Sequence, residues 1–170
     1  MFRLLVFAIL ISFSVCGKSQ FKPGISLQTG FNRIGLYYDA SVLFDFGKHQ
    51  AKFGLKYYGP DYVFENHTPG LSLGYKFVFG ESNWKFGQGI SASFFHENKS
   101  TVSLTLSDIQ LQFTTIRSMG KKMEIFSVLG LGAVINQFTN ITGSNDGTTG
   151  YINYEFALGV NYMFGNSDHP

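Results

Sequence analysis

Cysteine is nearly absent, for Cys16 is the only one in 170 residues. A single thiol cannot build a disulfide framework or a Cys-based zinc site. Charge is scarce as well: Asp, Glu, Lys and Arg make up 14% of the chain, and aromatic residues 17%. That is a poor supply of charge for a soluble surface. No basic cluster exceeds the pair Lys121-Lys122, so there is no electrostatic footprint for nucleic acid. HxH, HExxH and CxxC do not occur, and metal sites need convergent ligands of that kind. Also missing is a helix-forming apolar run of the ~20 residues that would cross a bilayer. The longest apolar-rich run is Leu4–Phe13.

That run serves export. Arg3 precedes it and small residues follow, the layout of a secretory signal peptide cut after Ser19, with Gly17 and Ser19 at the small positions. A lipoprotein signal acylated at Cys16 is the alternative, disfavoured by the bulk of Val15. Residues 1–19 are therefore expected to be removed, 20–164 to form one domain and 165–170 a short tail. The mature chain then crosses an oxidising compartment with no disulfide to form. Arg3 and Lys18 leave with the signal, which takes the basic count from 13 to 11, equal to the 11 acids.

What the mature chain does have is alternation. Tyr151–Phe164, YINYEFALGVNYMF, places Ile152, Tyr154, Phe156, Leu158, Val160, Tyr162 and Phe164 on one side and mostly small or polar residues on the other. The same period of two runs through Phe21–Phe31, Ile34–Phe46, Ala51–Tyr58, Leu71–Phe79 and Trp84–Phe94. In Ile34–Phe46, Ile34 falls on the same side as Leu36 and Tyr38. A sixth segment changes phase, with Val102, Leu104 and Leu106 on one parity and Ile109, Leu111 and Phe113 on the other. An extra residue near Ser107-Asp108, a β-bulge, restores the face; otherwise Val102–Leu106 is a loop or a separate hairpin arm. Met123–Phe138 is the seventh segment and Tyr151–Phe164 the eighth. Period two rather than 3.6 throughout predicts an all-β protein, an eight-stranded antiparallel up-and-down barrel whose closure removes both sheet edges.

Alternation alone does not say which face is inside, and three features point to an apolar exterior. The polar face is rich in Gly, Ser and Gln, with charges of both signs at Asp39, Asp45, Lys52, Lys56, Lys76, Lys85, Glu124 and Glu155. That composition fits the crowded lumen of a narrow barrel, where these eight residues form an ion-pair network, with Asp39 or Asp45 meeting Lys52 or Lys56. Aromatics gather at strand ends (Phe21, Phe31, Phe46, Tyr57, Phe79, Trp84, Phe94, Phe138, Phe164), as the girdles of a transmembrane barrel require. Connections after the second, fourth and sixth segments are short. Those after the third (GPDYVFENHTPG) and seventh (TNITGSNDGTTG) are long, and HENKST after the fifth is intermediate.

On these features the chain resembles the small bacterial outer-membrane β-barrels of the OmpA and OmpX type over the mature length. The resemblance implies residence in the outer membrane of a Gram-negative bacterium, contact with outer-membrane lipid, and recognition of Tyr162 and Phe164 by the barrel-assembly machinery. The tail Gly165–Pro170 departs from the pattern, since such proteins end at or near the last aromatic. The function expected is non-enzymatic: envelope integrity, surface interaction or small-molecule passage, with no cofactor. A lipid A deacylase-like enzyme and a soluble lipocalin-like carrier of an apolar ligand are the alternatives.

Candidate catalytic groups are few. His49, His67, His96 and His169 lie in turns, loops, strand ends or the tail. Ser93, His96 and Glu97 supply the residue types of a lipid A deacylase, but adjacent His96 and Glu97 point to opposite faces of a strand. Gly130 and Gly132 in VLGLGAV precede no helix and so cradle no phosphate; they relieve crowding in the lumen or let the strand curve. The N-x-S/T triplets at Asn66, Asn98 and Asn140 are ordinary loop chemistry in a bacterial protein.

Overall fold

The computed structural model describes residues 21–59, 68–80, 83–98, 102–140 and 146–164. They form eight strands: β1 Lys22–Asn32, β2 Leu36–Asp45, β3 His49–Tyr58, β4 Thr68–Phe79, β5 Trp84–Asn98, β6 Val102–Met119, β7 Met123–Asn140 and β8 Gly147–Met163. Each pairs antiparallel with its neighbours in sequence. The ladder from Gly24↔Met163 to Asn32↔Glu155 joins β1 to β8 and closes the barrel.

The faces follow the alternation. Even positions of β8, from Ile152 to Tyr162, are exposed on the outside, whereas Asn153, Glu155, Ala157 and Asn161 are buried within. The same division holds in every strand, with Leu27, Val42, Leu55, Leu73, Ile90, Leu111 and Leu129 exposed and Ser26, Gln28, Ser41, Lys56, Ser72, Gln110 and Glu124 buried. A lipocalin-like carrier needs the opposite arrangement. The short connections after β2, β4 and β6 mark one end of the barrel, called here the turn end. Gly47 and Gly120 take φ of 81° and 78° there, a region most residues with a Cβ avoid.

Four expectations are corrected. No bulge interrupts β6: its ladders with β5 and β7 run without a skipped residue past Ser107 and Asp108. Parity is constant, and it is the apolar side that changes, for Leu106 is fully buried inside while Ile109 is half exposed outside. Connections after β5 and β7 are also shorter than expected, because His96–Asn98, Thr139–Asn140 and Gly147–Gly150 belong to strands. The connection after β3 stays long, and a second asymmetry lies in strand length, 10–12 residues for β1–β4 against 15–18 for β5–β8. Ile34 does not join the outer face: it lies in the tight β1–β2 turn and is buried. Phe138 likewise takes the inward parity of β7 and lies over Gly147, where an added Cβ would come within 2.2 Å of its ring.

On β5–β8 the outer face turns polar near the loop end. Phe94 gives way to His96 and Asn98, Ile109 to Ser107, Thr105 and Ser103, Ile135 to Gln137 and Thr139, and Ile152 to Thr148. These changes lie level with one another, since Phe94 pairs with Ser107, Ser107 with Ile135, and Ile135 with Gly150. The apolar belt thus ends along one line around this wall.

Inward glycines make the narrow interior possible. Gln28 faces Gly159 across the ladder, Lys52 faces Gly74, Lys56 faces Gly70, Lys76 faces Gly89, Gln110 faces Gly132, and Glu155 faces Gly130. Each long polar stem thereby lies over a neighbour with no side chain. A Cβ on Gly132 would fall 1.9 Å from the Ile109 carbonyl oxygen, whereas one on Gly150 would meet nothing nearer than 3.7 Å. Gly132→Ala should therefore cost about 1–3 kcal/mol as an overpacking change. Gly150→Ala should be close to neutral, and urea unfolding in lipid vesicles followed by the single Trp84 compares the two. Gly159→Ser belongs with the damaging class, because its Cβ would meet the Phe126 ring at 2.3 Å.

Candidate functional site

The lumen is the chemically distinctive part of the molecule. At its centre Lys56, from β3, reaches across the barrel to Asp108 of β6 at 3.7 Å and Glu155 of β8 at 3.5 Å. Its ammonium also lies 3.9 Å from the centroid of the Tyr37 ring and 5.5 Å from that of Tyr58. The Tyr37 hydroxyl donates to Glu155 and accepts from Gln28 Nε2 at 2.6 Å. Gln112 Nε2 donates to the second Glu155 oxygen at 2.6 Å. Asp108 accepts from Gln110 at 2.9 Å and Asn153 at 2.9 Å. These groups are buried, so the pairing and the amide donors together offset the loss of water.

Two further pairs stand nearer the turn end. Asp39 sits opposite Lys56 in the β2–β3 ladder but pairs with Lys52 at 3.7 Å, and it accepts from Ser72 at 2.6 Å and Ser41 at 2.5 Å. Lys85 pairs with Glu124 at 3.0 Å, and Asn161 donates to the other Glu124 oxygen at 3.2 Å. Asp45 meets neither Lys52 nor Lys56; it holds the β2–β3 turn, accepting from the Gly47 N–H at 2.7 Å and Gln50 Nε2 at 3.2 Å. Lys76 forms no ion pair with any described carboxylate and lies 5.1 Å from the centroid of the Phe126 ring.

Above the Lys56 cluster, at the loop end, a group of apolar side chains fills much of the lumen. Ile34, Tyr37, Tyr58, Phe95, Leu106 and Val134 are buried together, with Leu104 and Tyr151 packed against them. Tyr58 stands edge-on to Tyr37 at 5.7 Å and to Phe95 at 4.9 Å, and its hydroxyl accepts from Asn32 Nδ2 at 2.5 Å. Asp108 and this plug are absent from the sequence-based expectation. Asp108 and the β6 share of the plug follow once β6 is read at constant parity, since Leu104, Leu106, Asp108, Gln110 and Gln112 all share it.

The catalytic candidates do not converge. Ser93 and Glu97 are buried on the inward face, while His96 points outward with its Nδ1 3.1 Å from Thr105 Oγ1. His49 lies on the outer side at the turn end, its Nδ1 2.6 Å from the Tyr75 hydroxyl. His67 and His169 lie outside the described residues, as do residues 1–19 and the tail 165–170. Tyr162 and Phe164 pack edge-on at 5.8 Å on the outside, and the Phe164 N–H donates to the Pro23 carbonyl at 2.7 Å. Among the described residues no group of His, Cys, Asp and Glu could hold a metal ion.

No family model matches the chain, and no curated protein matches it. Several solved structures are similar to it, among them the following two. A major outer membrane protein from Thermus thermophilus has 12% identity over 85% of this chain and 99% of that one, with a TM-score of 0.48. The KdgM porin, in complex with disordered oligogalacturonate, has 12% identity over 84% of this chain and 99% of that one, with a TM-score of 0.33. The strand count and register described above rest on the ladders themselves.

Lys56→Met would leave Asp108 and Glu155 buried without their cation, and should lower stability by about 3–5 kcal/mol. Lys85→Met should cost less, because the Lys85 side chain is 32% exposed and water can take over the solvation of Glu124. Adding Asp108→Asn and Glu155→Gln to Lys56→Met should restore part of the loss. Denaturant unfolding of the three variants in vesicles measures the order.

Proposed function

We propose that the chain is a non-enzymatic outer-membrane barrel that is sealed along its axis and acts in envelope integrity or surface contact rather than as an open pore. The observation that carries this reading is the filled lumen. The Lys56–Asp108–Glu155 cluster crosses it, and the apolar plug lies above. An eight-stranded barrel has only enough interior for side chains, and here large ones occupy it.

The exterior supports a membrane location. A belt of Leu, Ile, Val and Phe encircles the barrel, and a soluble protein would hide such a surface. Aromatics cluster at the turn end, where Phe21 packs on Phe46 at 5.4 Å and Phe79 on Phe86 at 6.0 Å, and Arg117 lies 5.2 Å over Trp84. Phe31 and Tyr154, 6.5 Å apart, do the same at the loop end. A spanning strand needs about 9–11 residues, which β1–β4 supply with little excess. The extra length of β5–β8 begins where their outer face turns polar, so that wall projects beyond the lipid.

Three measurements test the reading. The protein should fractionate with outer membranes, and unheated it should migrate faster on a gel than boiled. Planar-bilayer recording should give no sustained conductance; a stable open channel overturns the sealed lumen. Leu158→Arg, on the apolar belt, should cost about 2–4 kcal/mol if it lies near the bilayer midplane. Assembly of that variant at the wild-type level would refute the lipid-facing assignment.

A further inference from the structure

Lys76 is the cation that the lumen network does not use. It forms no ion pair or hydrogen bond with the described residues, and the charged groups that act on it are Lys52, Glu124 and Asp45. Both carboxylates are already engaged, Glu124 by Lys85 and Asn161, Asp45 by the Gly47 N–H and Gln50. Lys52 shares its charge with Asp39 at 3.7 Å and donates to Gln28 at 3.2 Å. What remains is one partly buried ammonium with no described carboxylate within ion-pair distance, an arrangement that costs more the less water reaches it.

The same lysine lines a small cavity in the turn-end half of the lumen. Lys52, Lys76, Gln50, Ser26, Thr114 and Phe126 are among its walls. Glycines create the space. Lys52 lies over Gly74, whose added Cβ would come 2.8 Å from the lysine Cγ, and Lys76 lies over Gly89 and beside Gly87. Gln50 is buried to 2% exposure, and its Oε1 has no hydrogen-bond partner. The cavity thus collects an uncompensated ammonium, a second ammonium, two hydroxyl donors and an amide oxygen in need of a donor.

We infer that this cavity is a binding site for a small monovalent anion such as chloride, held between Lys76 and Lys52. The anion supplies the counter-charge that the protein withholds from Lys76. Ser26 and Thr114 donate hydroxyl protons to it, and a water donating to both Gln50 Oε1 and the anion completes the shell. Phe126, Leu43 and Val128 also line the space, and their apolar walls bound it. The Lys56 cluster and the plug lie on the loop-end side, so the anion enters and leaves by the turn end and does not cross. The site is independent of the protein's role in the envelope.

The test uses the full-length protein refolded in detergent. Bromide soaked into wild-type crystals should give an anomalous peak between the Lys52 and Lys76 ammonium groups. In solution, the thermal unfolding midpoint should rise and saturate as chloride replaces gluconate at constant ionic strength, since gluconate is too large to enter. That shift should be lost in Lys76→Met and kept in Lys76→Arg. Should Lys76→Met fail to fold, Lys76→Gln and the bromide peak decide. No peak at this position, or a wild-type midpoint indifferent to the anion, overturns the proposal.

Discussion

Everything inside this molecule depends on the hydrogen-bonded seam between β1 and β8. Once Gly24 pairs with Met163 and Asn32 with Glu155, the sheet has an inside, and with eight strands that inside is narrow. Narrowness then dictates composition. A long inward side chain fits only where the residue across the ladder is small, and Gln28, Lys52, Lys56, Lys76, Gln110 and Glu155 each face a glycine. Six of the 20 glycines are therefore the complement of buried polar stems. Closure also makes the buried charges tolerable, because it brings β3, β6 and β8 within reach of one another. Lys56 meets Asp108 and Glu155 across the barrel, a convergence that pairing between neighbouring strands alone could not supply.

A second consequence concerns where the apolar residues point. Along β6 they lie outside from Phe113 to Ile109 and inside at Leu106 and Leu104, with no break in the ladders. A strand that leaves lipid for water must exchange its faces: within the belt the outside is oily, and beyond it the outside is wet and the sheet needs an apolar core of its own. β5, β7 and β8 make the same exchange at the same level, Phe95, Val134 and Tyr151 turning inward as His96, Gln137 and Thr148 turn outward. The plug is thus the core of the projecting part of the sheet, continued down into the mouth of the barrel. One packing solution both stabilises the projection and closes the lumen.

The eight strands, their order and the faces of most of them were legible in the sequence, because period two is a local signal and a barrel repeats it eight times. The phase change in β6 was legible too, but it admits two physical causes. A bulge shifts the residues and a change of surroundings shifts the chemistry, and the hydrophobic pattern is identical for both. The lengths of β7 and β8 were hidden for a related reason. Thr139–Asn140 and Gly147–Gly150 carry turn-like residue types, and only their cross-strand partners make them strand. Individual ion pairs were not legible. Asp39 stands opposite Lys56 yet pairs with Lys52, because stems of this length reach diagonally past the direct partner. Tyr37 and Tyr58 alternate like any outer-face aromatic, and only parity against Asp39 and Lys56 assigns them to the interior.

The inward charges are also unevenly placed along the axis. Toward the loop end, Lys56 stands against Asp108 and Glu155, and the buried Glu97 lies on the same side. Toward the turn end, Lys52, Lys76 and Lys85 are matched by Asp39, Asp45 and Glu124, but Asp45 is spent on the β2–β3 turn. Toward the loop end one lysine is thus shared by two carboxylates, and toward the turn end Lys76 has no described carboxylate within ion-pair distance. Of Lys52, Lys56, Lys76 and Lys85, Lys76 is the one without such a partner, so a mobile counter-ion has most to gain beside it.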